Sequence, residues 1–390
     1  MNVLSLFDGM SCGRQALERA GIPVTNYFAS EIDKHAIKVT MSNYPDTIQL
    51  GSVTKVDGYK LPKIDLLIGG SPCQSFSFAG KRKGMSTKCE TEILTLDQYL
   101  ELKRDAYEFE GQSYLFWEYM RLLNEVQPKY FLLENVIMAD KWEKTLSRAI
   151  GVNPIEINSA LVSAQNRRRL YWTNIGMKHM GLFGYPMSII EQPKDRGILL
   201  KDILESEVDE KYFLSEKLIK GFITHTERMK ESGNGFEFAP TDGSNKGKSL
   251  TTRNGQRPDD NFIVHNMQPR SGDPLKGGTG HLTRLDGKTY CLDTGNTNAV
   301  EIVGGDYRAD KNRFRWRNNG KSGTLLTSDN AGQFEQIAPR IRRLTPVECE
   351  RLQTVKDNYT AHVSDSQRYK MLGNGWTVDV IAHIFSYIDK

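Results

Sequence analysis

The chain has 390 residues, 38% hydrophobic, 26% charged and 9% aromatic, an ordinary globular composition that predicts two or three domains. No apolar run nears the roughly 20 residues of a bilayer crossing, and the start MNVLSLFDGM carries no basic segment, so membrane and secreted readings are disfavoured. The net charge of +4 is uneven: residues 241–345 hold 17 Lys and Arg against 11 Asp and Glu, and 231–340 hold 16 of the 34 glycines. A basic, glycine-rich insert on a near-neutral body fits either a polyanion partner or a solvated β region.

Five cysteines, at 12, 73, 89, 291 and 349, lack C-x-x-C spacing. That argues against a disulfide framework and the common zinc sites, and for a reducing, cytoplasmic setting. Val3–Phe7 reads as a buried strand before the turn FDGMSCG, followed by a helix through Ala16 and Leu17 that Gly21 ends. Asn26–Ser30 is a second strand. Asp33 can cap the next helix, whose Ile37, Thr40, Met41 and Tyr44 share a face before Pro45. Further strands are predicted at 64–68, 130–133, 155–162 and 170–173. Strands alternating with helices predict an α/β, doubly wound, mostly parallel sheet with ligands at the strands' carboxyl ends.

Residues 196–231 still read as helical, whereas 232–340 break into short strand-like pieces between Gly, Asn and Asp turns. KSLTT (248–252), GHLTR (280–284) and KSGTLLT (321–327) suggest related β-hairpins. Helix returns in RRLTPVECERLQ, where Thr345 can cap and Pro346 can open the first turn, and in 371–390, with Val378, Ile381, Ile384 and Phe385 on one face. The predicted organisation is a catalytic domain, 1–177 completed by 355–390. A smaller β-rich domain, 178–340, joins it through a connecting segment, 341–354.

Four segments carry the chemistry. Gly9 and Gly13 in the first turn allow close backbone approach at a helix start, as a nucleotide site requires, although the G-x-G-x-x-G fingerprint is absent. Glu31 falls 24 residues after Phe7, near the spacing at which an acid meets ribose hydroxyls. In IGGSPCQSFS (68–77), Gly69, Gly70 and Pro72 put Cys73 on a stiff loop past a strand. A nucleophilic thiolate there needs partial exposure and the nearby Lys81, Arg82 and Lys83, whereas most free cysteines are small buried hydrophobes. Glu134 in FLLENV ends another strand, where burial would favour a carboxyl able to donate a proton, or where it could simply cap a helix. In QNRRRLYW a period of two sends Gln165, Arg167 and Arg169 one way and Arg168 the other.

In this order the segments resemble the cytosine-5 DNA methyltransferase family over 3–175 and 340–388. FDGMSCG matches its cofactor loop, GGSPCQSFS its catalytic loop, ENV its acidic motif and QNRRR its Q-x-R-x-R motif. RRLTPVECERLQ and GNGWTVDVI match the closing motifs. SLFDG, the Ser30–Glu31 pair and GNGWTVDVI look most like animal de novo methyltransferases, and 178–340 is more like a bacterial or phage target recognition domain. The resemblance implies an S-adenosylmethionine-type methyltransferase fold and methyl transfer to C5 of a flipped cytosine through a covalent Cys73–C6 adduct. Glu134 would protonate N3, with Gln165, Arg167 and Arg169 anchoring the nucleotide and the loop. S-adenosyl-L-methionine would lie against Phe7, Asp8, Gly9, Met10, Gly13, Glu31, Ile32, Ser52, Val53, Pro72, Leu115, Asn374, Gly375 and Trp376.

Gly51-Ser52-Val53 departs from the family, which usually has Asp where this chain has Ser52, and so predicts weaker cofactor affinity. The stretch 85–112, with a small helix over Leu94–Leu102, is longer than in relatives. The implied partner is double-stranded DNA, read in the major groove by candidates Arg253, Arg257, Arg284 and Arg315, with Arg270, Arg313 and Arg317 beside them. No metal is called for. A monomer on DNA, with or without a cognate restriction endonuclease, completes the expectation. Action on tRNA and a non-catalytic DNA-binding role are the alternatives.

Overall fold

The computed structural model describes residues 1–72, 86–87, 92–180, 185–233, 237–265, 305–308, 313–316 and 340–389. In chain order, β1 (Asn2–Leu6), α1 (Cys12–Arg19), β2 (Asn26–Ser30), α2 (Lys34–Asn43), β3 (Ile48–Gln49) and β4 (Leu66–Gly70) open the molecule. They are followed by α3 (Leu96–Arg104), α4 (Phe116–Val126), β5 (Tyr130–Val136), α5 (Asp140–Ile150), β6 (Ile155–Asn158) and β7 (Arg168–Thr173). The seven strands form one sheet in the order β3-β2-β1-β4-β5-β7-β6. Its neighbours are parallel from β3 to β5, and β7 runs antiparallel to both β5 and β6.

The strand sequences explain the parallel core. Val3, Leu4 and Leu6 in β1, Leu66 to Ile68 in β4, and Leu132 and Leu133 in β5 are buried, as strands covered by helices on both faces must be. Asp33 caps α2 through the amide of His35, and α2 stops at Asn43, before Pro45. Gly21 takes φ +70° just past the end of α1. The order reverses beside β1, between β1 and β4, which opens a crevice at the strands' carboxyl ends.

The carboxyl-terminal stretch is three helices rather than two. α7 (Pro346–Leu352) starts in a reciprocal capping box between Thr345 and Glu348; α8 (Asp365–Asn374) ends at Gly375, and α9 (Val378–Phe385) begins after Thr377. Val378, Ile381, Ile384 and Phe385 are buried, and α9 packs against α1.

The chain divides into two compact units, residues 1–205 with 246–254 and 345–390, and residues 206–245 with 255–344. The division differs from the sequence-based boundaries at 177/178 and 340/341. Residues 178–205 stay with the sheet because Leu200 and Ile203 are buried and Arg351 donates to the Ile203 carbonyl. Residues 246–254 return to it because Gly247–Lys248 pairs in parallel with Gln165–Asn166. The pairing also makes 248–252 a docked segment rather than a hairpin; 280–284 and 321–327 lie outside the described residues.

The second unit, as described, contains helix α6 (Glu216–Glu231) and an antiparallel pair, Phe262–His265 with Arg340–Arg343. Phe222, Phe262 and Ile341 form its small core. The segment 196–231, expected to be helical, is helical only from Glu216, with short 3-10 turns at 200–203 and 210–212. No described helix is long and apolar enough to cross a membrane.

Candidate active site

Two walls of the crevice come from the turn after β1 and the acid after β2. Phe7, Gly9 and Ser11 all adopt positive φ (57°, 59° and 61°), so the turn alternates through left-handed backbone. Glu31 holds it: Oε2 accepts from the Gly9 amide at 2.8 Å, and Oε1 accepts from the amides of Ile32 (2.7 Å) and Asp33 (2.8 Å). Three of the carboxylate's four acceptor positions are thus occupied, leaving capacity on Oε2. A Cβ built on Gly9 would meet nothing within 4 Å, so the front of the turn is an open cradle for a ligand.

Asp8 lies beneath this turn, accepting from Tyr27 Oη at 2.8 Å and from Ser11 Oγ. Burial pushes its carboxyl up to about 6, against the lowering effect of these hydroxyls. Met10 and Gly13 are buried, and Tyr359 Oη donates to the Met10 carbonyl at 2.8 Å. Ile32 is 73% exposed at the rim. Ser30 Oγ donates to the Gly51 carbonyl, Ser52 Oγ is 2.9 Å from Thr54 Oγ1, and Val53 is buried at the start of a 3-10 turn. Leu115, half-buried at the end of another 3-10 turn, leads into α4.

The third wall joins α8 to α9. Gly375 sits close to the cofactor turn: an added Cβ would lie 3.0 Å from Met10 Cε and 3.4 Å from Cys12 Sγ. Asn374 is exposed and Trp376 half-buried. Cys12 is buried and its thiol is raised to about 12, which keeps it an inert packing group.

The candidate acid–base centre lies where β4 and β5 end side by side, Gly70 opposite Glu134. The Glu134 side chain is 11% exposed; Oε1 is 3.0 Å from Arg169 Nε, and Oε2 accepts from Trp376 Nε1 at 3.2 Å. It is therefore not a lone carboxyl in an apolar pocket, as its strand position suggests, but one gripped by a cation and an indole N–H. Asn135 beside it donates to Ser71 Oγ (3.1 Å) and so ties β5 to the start of the loop that carries Pro72. Cys73 lies outside the described residues.

The structure separates the residues of QNRRR. Arg168 is exposed and paired with Glu156, and only Arg169 reaches Glu134. Arg167 is buried elsewhere, donating to the carbonyls of Gly373 (3.2 Å) and Gly375 (2.9 Å) and to Ser249 Oγ. Gln165, fully buried, donates to the Leu352 carbonyl and to Gln353 Oε1. Both therefore hold the loop before Trp376 rather than meeting Glu134.

Sequence reasoning missed the partners in this scaffold: Gln353, which donates to the carbonyls of Leu372 and Gly375, and Thr377, which donates to Gln353 Oε1. Their only sequence signal is positional, Gln353 closing α7 and Thr377 preceding α9. Of the arginines assigned to DNA, Arg253 is exposed but belongs to the sheet-bearing unit. Arg257 pairs with Asp259. Arg315 lies in a strand, Arg313–Trp316, paired with Gly305–Arg308, and Arg284 lies outside the described residues.

Sheet order, crevice and walls together define a methyltransferase of the S-adenosylmethionine-dependent class. The fold is that of solved methyltransferases: one from Entamoeba histolytica (TM-score 0.59, 15% identity, 99% of this chain and 97% of that one) and a Spodoptera frugiperda DNMT2 mutant (TM-score 0.56, 17% identity, 100% and 99%). The C-5 cytosine-specific DNA methylase family model matches residues 1–150 and 158–390, and the chain belongs to this family. It is 31% identical over 459 aligned positions to the orphan methyltransferase M.SPRI of Bacillus phage SPR, covering 100% of this chain and 99% of that protein. It is 26% identical to the type II methyltransferase M1.ScrFI of Lactococcus lactis subsp. cremoris, over 97% of this chain and 75% of that protein. The chain is thus a DNA methyltransferase whose methyl donor is S-adenosyl-L-methionine.

Proposed function

We propose that the chain methylates C5 of a cytosine flipped out of duplex DNA, with Cys73 as nucleophile and Glu134 as the acid that protonates N3. The observation that carries this reading is the grip of Arg169 and Trp376 on Glu134, directly opposite Gly70, where the loop bearing Cys73 leaves the sheet. A carboxyl fixed at both oxygens is oriented to meet one edge of a planar base. Cytosine C5 is a weak nucleophile, so addition of a thiolate at C6 with protonation at N3 turns the ring into an enamine. When bound, the cofactor supplies an electrophilic methyl group on a sulfonium.

After methylation, loss of the C5 proton to a base or water and expulsion of the Cys73 thiolate restore the aromatic ring. Glu134 gives its proton to N3 as the thiolate adds and takes it back as the thiolate leaves, with Arg169 balancing its charge while it is ionised. The cradle before Gly9, the free acceptor capacity of Glu31, exposed Ile32, Ser52–Val53, Leu115 and Trp376 fit a nucleoside with an amino-acid tail. The phage relative is called an orphan methyltransferase, which supports action on DNA without a partner endonuclease.

The test is methyl transfer from labelled cofactor to duplex DNA and to tRNA, followed by bisulfite sequencing. Duplex DNA labelled at cytosine, with turnover abolished in Cys73→Ser but DNA binding kept, is the expected result. Transfer to tRNA alone, or full activity of Cys73→Ser, overturns the reading.

A further inference from the structure

The described part of the stretch 85–112 is built into the floor of the proposed cofactor site. Its helix α3 packs on α4, and two of its side chains, the Tyr99 hydroxyl and the Lys103 ammonium, both donate to Glu118 Oε1. Glu118 is fully buried. Its other oxygen, Oε2, accepts from Arg121 Nε at 2.8 Å and lies 2.7 Å from Arg121 Nη2.

Arg121 in turn reaches past α4. Its Nη2 donates to the carbonyls of Val53 (3.1 Å) and Val56 (3.0 Å), and Nη1 to Glu125 Oε1 (2.7 Å), while Glu125 Oε2 accepts from the Gly58 amide (2.8 Å). Glu118, Arg121 and Glu125 are spaced three and four residues apart, so they share one face of α4, from which Arg121 and Glu125 meet the 53–60 segment. The same stretch frames a second wall. Phe109 pairs with Thr87 on the strand returning from the catalytic loop and stacks on Tyr114 at 4.5 Å, next to Leu115.

We propose that Tyr99 and Lys103 are positioning residues for the cofactor: acting through Glu118, they set Arg121 so that it holds the Val53–Val56 turn in the form that binds the methyl donor. The inference rests on the reading of Ser52 and Val53 as cofactor residues. The physical reason is competition for donors. Glu118 is buried and must have both oxygens satisfied. With Tyr99 and Lys103 present, Oε1 is supplied from α3 and Arg121 meets Oε2 alone, through Nε and Nη2, which keeps Nη2 beside the two carbonyls. Without them, Oε1 loses both of its donors from α3, and Arg121 shifts from Oε2 alone to span both oxygens, drawing Nη2 off Val53 and Val56.

The experiment uses the full chain and the variants Lys103→Met, Lys103→Arg and Tyr99→Phe/Lys103→Met, with Ser52→Asp as a reference. S-adenosylhomocysteine affinity is measured by calorimetry, KM for S-adenosylmethionine and kcat on duplex DNA by turnover, and folding by thermal melting. Residues that couple to a ligand without touching it change its affinity by roughly 3- to 30-fold. The expected result is such a weakening in the double variant, kcat at saturating cofactor within about twofold, and recovery in Lys103→Arg, since loss of ground-state and transition-state binding together raises KM alone.

Unchanged cofactor affinity in a folded double variant, while Ser52→Asp shifts it, overturns the brace and leaves the cofactor site standing. If neither changes affinity, the placement of the cofactor floor falls and the brace with it. A fall in kcat matching the rise in KM marks a merely structural role and also overturns the proposal. Should the double variant not fold, Lys103→Met alone decides between the same outcomes, because its ammonium is partly exposed.

Discussion

Replacing Arg169 by Met tests the acid–base centre most sharply, because it removes the cation and keeps much of the side-chain volume. Arg169 Nε lies 3.0 Å from Glu134 Oε1, with the side chains 16% and 11% exposed. Breaking a fully buried pair costs about 3–5 kcal/mol, whereas an exposed pair contributes about 0.2–1 kcal/mol. At this exposure, with Trp376 still donating to Oε2, the cost falls between, about 2–3 kcal/mol. For a unit of this size that lowers the melting temperature by roughly 5–10 °C. Turnover should fall by about 10²-fold or more, as expected when a proton donor loses its orientation.

Adding Glu134→Gln to Arg169→Met should recover part of the stability and none of the activity, since a buried amide needs no counter-charge. Melting of the three variants beside the parent, with turnover from labelled cofactor, measures both. A melting point for Arg169→Met within about 1 °C of the parent, or a double variant less stable than the sum of the singles, would refute the reasoning.

Three further outcomes follow from the site. Asp8, raised to about 6 against an ordinary 3.8, favours the folded state fully below the ordinary value, and this contribution is lost as pH rises through about 6. Asp8→Asn should therefore be more stable than the parent by on the order of 1–2 kcal/mol at pH 8 and lose that advantage toward pH 4; pH-dependent melting curves that run parallel contradict it. Ser52→Asp should tighten S-adenosylmethionine binding in calorimetry by adding a charged acceptor, and weaker or unchanged binding counts against that placement. Arg167→Met should leave the carbonyls of Gly373 and Gly375 short of a donor, cost about 2–4 kcal/mol, and raise KM for the cofactor more than it lowers kcat; a selective loss of kcat would return Arg167 to the reacting base.

Much of this was legible in the chain because strand and turn chemistry agree locally. NYFAS is a strand at the bounds its apolar run predicts, Asp33 and Thr345 cap helices as their side chains allow, and Pro346 opens α7. The period of two in QNRRR correctly turns Gln165 and Arg167 inward and Arg168 outward. It does not tell which inward arginine meets Glu134, because that depends on where β7 starts: Arg169 lies within the strand opposite Val136, and Arg167 precedes it, free to bend toward Gly375.

The unit boundaries were hidden for a similar reason. Gly247–Lys248 rejoins the sheet-bearing unit through a two-residue ladder and the burial of Leu250, a signal too short for any periodicity to show. The Gln165–Gln353–Thr377 network joins residues 188 and 24 positions apart, and such long-range polar pairing leaves no local mark.

The most direct measurement incubates the chain and S-adenosylmethionine with duplex DNA in which the target cytosine carries fluorine at C5, so that proton loss is blocked. The account predicts a stable protein–DNA adduct whose digest maps by mass spectrometry to Cys73 and which Cys73→Ser fails to form. No adduct on a substrate whose unfluorinated form is methylated, or an adduct at another side chain, would contradict it.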